Sequence, residues 1–115
     1  MKIKVNEATP LQLDWLVAKC EGITEIGQGV HTFDVEFLLM HSSGDFNYST
    51  DWSQGGPIID RERISIRFWE NENFVTAYGV PGSPWMHGPT PLIAAMRCYV
   101  ASKLGDEEEI PEELR

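Results

Sequence analysis

The residues with the most chemistry to offer are arginines and tryptophans. Arg61, Arg63 and Arg67 lie close together in the middle of the chain, and Arg97 follows further on. Trp52 and Trp85 fall in two loop-like segments, residues 41–56, rich in Ser, Gly, Asp and Asn, and 80–89, rich in Pro and Gly, and Trp69 lies between the two. A planar guanidinium pairs with phosphate or carboxylate through parallel N–H bonds, and an indole face stacks on a base. A cleft that gathers Trp52, Arg61, Arg67, Trp69, Trp85 and Arg97 would suit a nucleotide-like ligand. The same residues have a plainer reading. Arg63 and Arg67 can pair with Glu62, Glu70 or Glu72 on a solvated face, and Trp15, Trp52, Trp69 and Trp85 can fill a small core.

Catalytic chemistry is less well provided for. The three histidines, His31, His41 and His87, stand in no metal-binding or nucleophile-elbow pattern. The chain contains neither the Gly-rich phosphate loop nor the dinucleotide fingerprint. No catalytic residue, metal ligand or cofactor is therefore assigned, and binding is favoured over catalysis.

Charge narrows the partners. Eighteen Asp and Glu against nine Lys and Arg leave a formal charge of −9 on 115 residues. Such a chain repels phosphate overall, which argues against direct binding of nucleic acid or of an anionic membrane. A basic protein, or a small anion in a locally positive pocket, is compatible. No apolar run approaches the roughly 20 residues of a membrane span, and no apolar signal segment opens the chain. Cys20 and Cys98 are far apart and outside any C-x-x-C, so both are expected as reduced core residues in a reducing cytoplasm.

The elements that would position these side chains can be read in part. Thr9-Pro10 and Thr90-Pro91 each read as an N-cap followed by proline at the first helical position. Gln12 completes a capping box with Thr9. Leu13, Leu16, Val17 and Cys20 recur at helical spacing before Gly22, and Leu92, Ala95, Met96, Tyr99 and Val100 do so before Gly105. Thr50 or Asp51 could cap a further helix toward Arg61, which Gly55, Gly56 and Pro57 weaken. Period-2 alternation marks strands at 31–39, around Ile64, Ile66 and Phe68, and at 74–78, the last two joined by a polar turn at 70–73. The expected fold is α+β: a three-stranded antiparallel sheet from about Thr32, Arg63 and Phe74, with the N-terminal and C-terminal helices packed on it. Leu13, Leu16, Val17, Ile64, Ile66, Phe68, Met96 and Val100 are the expected core. Residues 1–105 form one domain in this reading, and the acidic stretch 106–115 is a solvated, frayed tail.

Three stretches carry a resemblance: Tyr48 to Ile59 (YSTDWSQGGPII), Trp69 to Tyr78, and Gly88 to Val100 (GPTPLIAAMRCYV). Together they resemble the phage P22 NinX-like family of small lambdoid phage proteins. There is also a distant similarity to the phage ABA-sandwich domain, which implies layers of helix, sheet and helix. The resemblance brings no catalytic residues. It implies an accessory phage protein that works inside an infected bacterium, altering host physiology or blunting a defence. The functional expectation is then a non-enzymatic protein that sequesters a small phosphate-bearing ligand, with a pocket that two copies could share. The alternative is an acidic inhibitor or nucleic-acid mimic directed at a basic host factor. A small hydrolase would need a histidine-centred site.

Overall fold

The computed structural model describes residues 1–21, 46–70, 72–79 and 84–114. Both Thr-Pro signals start helices. Helix α1 spans Pro10–Cys20, with the Thr9 hydroxyl accepting the Gln12 N–H at 3.3 Å and the Gln12 side chain accepting the Thr9 N–H at 2.9 Å. Gln12 also donates through Nε2 to the Leu114 carbonyl at 2.9 Å, so one capping residue ties down the far end of the chain. Helix α2 spans Trp52–Glu62 and is capped by Asp51, whose carboxylate accepts the Ser53 N–H at 2.9 Å and the Ser53 hydroxyl at 2.7 Å. It forms in spite of Gly55, Gly56 and Pro57, because tertiary contacts override propensity: Gly55 and Ile58 are buried. The turn that ends it places Arg63 in the left-handed region, at φ 56°. Helix α3 spans Pro91–Leu104, starts with the Thr90 hydroxyl accepting the Ile93 N–H at 3.1 Å, and ends at Gly105. Gly105 has φ +95°, a conformation glycine reaches without steric cost.

Five strands accompany these helices among the described residues: β1 (Lys2–Lys4), β2 (Ser65–Phe68), β3 (Val75–Tyr78), β4 (Met86–Gly88) and β5 (Glu107–Glu109). Strands β2, β3 and β4 form an antiparallel sheet in that order. The hairpin from the Ile64 and Phe74 segments is as expected. The strand expected about Thr32 lies outside the described residues. The third strand seen is β4, inside the segment 80–89 that reads as a loop. With three residues, Met-His-Gly, β4 is too short to show alternation, and its strand geometry comes from pairing with β3.

Helix α3 is the shared element of the core. It packs on β3 and β4 and also on α1 and α2. Its residues Leu92 to Met96 and Cys98 to Ala101 are buried, as expected of a helix covered on most sides. Leu13, Leu16, Val17, Ile64, Met96 and Val100 are buried as expected, and Ile66 is partly buried against the core. Phe68 is a correction: it is 71% exposed. It lies at the end of edge strand β2, while α3 makes its main sheet contacts with β3 and β4.

The acidic end is a second correction. It is not frayed, because β5 pairs antiparallel with β1, setting Lys2 opposite Glu109 and Lys4 opposite Glu107. Lys19 reaches Glu108 at 3.3 Å and the N-terminal ammonium reaches Glu109 at 3.0 Å. Ile110 and Leu114 are buried. Opposite charges across the ladder reconcile a run of carboxylates with folded structure.

Candidate functional site

Antiparallel register decides which side chains share a face, since residues directly opposite one another project the same way. Ile66, Ala77 and Met86 form one row across β2, β3 and β4, and Ala77 and Met86 are buried beneath α3. The next row, Arg67, Thr76 and His87, therefore lies on the outer face. Alternation adds Trp69 and Phe74 at the end near the β2–β3 turn, and Tyr78 and Trp85 at the opposite end.

Side-chain contacts bear this geometry out. The Arg67 guanidinium lies 4.2 Å from the centre of the Trp69 ring. Trp69 donates from Nε1 to the Thr76 hydroxyl at 2.7 Å, and that hydroxyl is 3.3 Å from Nδ1 of His87. An indole N–H can only donate. The Thr76 oxygen therefore accepts from Trp69, and the direction of its contact with His87 Nδ1 follows the imidazole tautomer: the hydroxyl donates where Nδ1 is bare and accepts where Nδ1 carries the proton. Phe74 meets His87 edge-on, with ring centres 5.1 Å apart. Tyr78 and Trp85 stack at 4.4 Å with 17° between their planes. Thr76 is buried under this layer, whereas Trp69 is 38% exposed, Phe74 37% and Trp85 52%. The rings shield the hydroxyl and still face solvent.

This decides what the Thr76–His87 pair can do. A hydroxyl beside an imidazole has the form of a nucleophile and its base, but Thr76 is closed off beneath Trp69 and already engaged. What the face presents is aromatic rings and the Arg67 guanidinium. Arg67 makes no ion pair or hydrogen bond among the described residues, so its N–H groups are open to a ligand.

The other three expected residues lie elsewhere. Arg61 holds Glu21 with two bonds, at 3.1 and 2.7 Å, and also donates to Glu62 at 2.8 Å and to the Tyr99 hydroxyl at 3.2 Å. Tyr99 donates to Glu21 as well. The Arg61 bonds hold the Glu21 carboxyl below its usual range, and burial pushes the Tyr99 hydroxyl up. This cluster clamps the end of α1 to α2 and α3. Trp52, at the start of α2, borders a separate cleft of about 200 Å³ with Ser49, Thr50, Thr90, Leu92 and Ile93.

Arg97 donates to the His87 carbonyl at 2.7 Å and to the Ala8 carbonyl at 2.8 Å, joining α3 to β4 and to the approach to α1. It acts behind the sheet. Arg97→Ala should lower unfolding stability by about 2–3 kcal/mol in urea titrations, because two carbonyls lose a charged donor. An unchanged midpoint would show that Arg97 does not hold these elements together.

Arg67, Trp69 and Trp85 therefore converge, joined by Phe74, Thr76, Tyr78 and His87. The signal for the added residues was the alternation Phe74-x-Thr76-x-Tyr78, continued by Trp85-x-His87 on the neighbouring strand. Among the described residues no group of three or more His, Cys, Asp or Glu could hold a metal ion. The cysteines are free thiols; Cys98 is buried and Cys20 only partly so. Burial raises Cys20 to about 12 and Cys98 to about 11, so neither is a ready nucleophile. No helix among the described residues is long and apolar enough to cross a membrane.

Fold and face together define a small α+β protein that backs an open aromatic sheet with helices. The chain belongs to the Bacteriophage P22, NinX family, whose model matches residues 4–103. The match takes in α1, α2 and the whole three-stranded sheet. No curated protein matches the chain.

Proposed function

We propose that this phage protein acts by binding inside the infected bacterium, and that its outer sheet face sequesters a small phosphate-bearing, nucleotide-like ligand such as a defence signal. One observation carries the reading: the Arg67 guanidinium, without an ion pair among the described residues, lies over the exposed Trp69 ring, within a layer of further aromatic rings. On a chain of net charge −9 this is a local exception, and it supplies what a nucleotide needs. The rings stack on the base and the guanidinium meets the phosphate. His87 lies in the same row, across Thr76 from Arg67.

The acidic-inhibitor reading draws less support, because the carboxylates of Glu107 to Glu109 face Lys2, Lys4, Lys19 and the N-terminal ammonium. Native mass spectrometry of the protein purified from an enteric bacterium, beside a denatured control, tests the reading. The expected result is an excess mass of nucleotide size that denaturation releases and that Arg67→Gln abolishes. The same spectrum counts the copies. An adduct that persists in both Arg67→Gln and Trp69→Ala would place the ligand elsewhere and sink the assignment.

A further inference from the structure

The aromatic layer has two ends, and we infer that it takes a dinucleotide: two stacked bases joined across a phosphate. The inference rests on the ligand reading above and specifies the class of ligand. Trp69 and Phe74 form one end, and Tyr78 and Trp85 the other. Phe74, immediately before β3, and Tyr78, at its end, are four residues apart, about 13 Å at the usual strand rise. The row between them holds Arg67 and, across Thr76, His87, whose imidazole donates to a phosphate when Nε2 carries a proton. A mononucleotide would use one aromatic end and leave the other bare.

Charge sets the length. Extended single strands are held in a positive groove that follows the backbone, but among the described residues this face offers one unpaired guanidinium and one imidazole, enough for a single bridging phosphate. Beyond each end the charge turns negative. Glu70 and Glu72 are exposed in the turn next to Trp69, and Trp85 shares a groove of about 380 Å³ with Asp106 and Glu107. Lys4 lines that groove too, but it stands opposite Glu107 in the β1–β5 ladder. A third phosphate at either end would meet carboxylates. The match is therefore to a ligand with two planar rings and a central negative charge.

The test is calorimetric titration of the full chain with linear adenylate and guanylate dinucleotides, the two mononucleotides and the two tetranucleotides. A dinucleotide should bind at least roughly tenfold more tightly than its mononucleotide, because a second base is stacked. Trp69→Ala and Trp85→Ala should each bring the dinucleotide back toward mononucleotide affinity. Arg67→Gln, a change on an exposed side chain, should weaken both ligands. Equal affinity for mononucleotide and dinucleotide, or a dinucleotide indifferent to Trp85→Ala, would overturn the two-ended site and leave the single-base reading standing. A tetranucleotide that binds more tightly than the dinucleotide would overturn the length limit. Failure of every nucleotide to bind would remove the underlying ligand reading as well.

Discussion

Gly55→Ala should destabilise the protein by roughly 2–4 kcal/mol, while Gly56→Ala beside it should stabilise by about 0.5–1 kcal/mol. Helix propensity alone favours alanine at both sites, since each lies within α2. Packing separates them. A Cβ on Gly55 would sit 2.3 Å from the Tyr48 carbonyl oxygen and 2.5 Å from Cδ1 of Leu92. The backbone around Tyr48 cannot give way cheaply. The Asn47 N–H is bound to the Gln54 side chain at 2.7 Å and the Ser49 N–H to Asp14 at 2.8 Å. A Cβ on Gly56 would meet only the Trp52 ring, at 3.7 Å. Urea titration of the two variants checks this pair. Stabilisation by both would mean that α2 does not press against Tyr48 and Leu92.

Asp14→Asn should change how stability responds to pH. Asp14 is 4% exposed on α1 and accepts the Ser49 N–H. Burial raises its carboxyl to about 6, against the opposing pull of the Ser49 hydrogen bonds. A carboxyl whose folded value exceeds its unfolded one favours folding when protonated. That contribution is present below the unfolded value of 3.8 and is lost as pH rises through about 6. The loss amounts to about 3 kcal/mol at neutral pH. Asparagine keeps an oxygen for Ser49 and carries no charge. The variant should thus gain on the parent by about 2–3 kcal/mol between about pH 4 and about pH 7.5. Glu21, Asp51 and Glu62 are shifted down and act in the opposite direction, but they are common to both proteins and cancel in the comparison. Parallel stability–pH curves would refute the assignment.

What could be read in the sequence was what depends on neighbours in the chain. The Thr-Pro starts and the Thr9–Gln12 capping box are local chemistry, and α1 and α3 follow from them. The β2–β3 hairpin shows in alternation. Alternation does not say how far a helix reaches across a sheet, and Phe68, on an edge strand, is left outside. Three residues at Met86 cannot announce β4, whose geometry is supplied by β3 and by Gly88. A Cβ at Gly88 would come within 2.7 Å of the Ala94 nitrogen.

The candidate site divides in the same way. Arg67, Trp69 and Trp85 had the right chemistry, and sheet register brings them to one face. Arg61 and Arg97 had it too, but Glu21 in one case, and the carbonyls of Ala8 and His87 in the other, claim their donors. Those partners lie 40, 89 and 10 residues away. Composition could not reveal that the acidic stretch stands opposite Lys2 and Lys4.

That β1–β5 ladder has a kinetic consequence. It closes a contour of more than a hundred residues with three pairs, flanked by the Ile110 N–H bonded to the Met1 carbonyl and the Val5 N–H to the Asp106 carbonyl. Loop-closure entropy opposes it, and its exposed ion pairs contribute little and weaken in salt. Opening it would free Ile110 and Leu114 and release Nε2 of Gln12, while α3 stayed packed on β3 and β4. The ladder is thus expected to open as a sub-global unit, its amide protons exchanging sooner than those of α3 and only slightly faster as salt is raised.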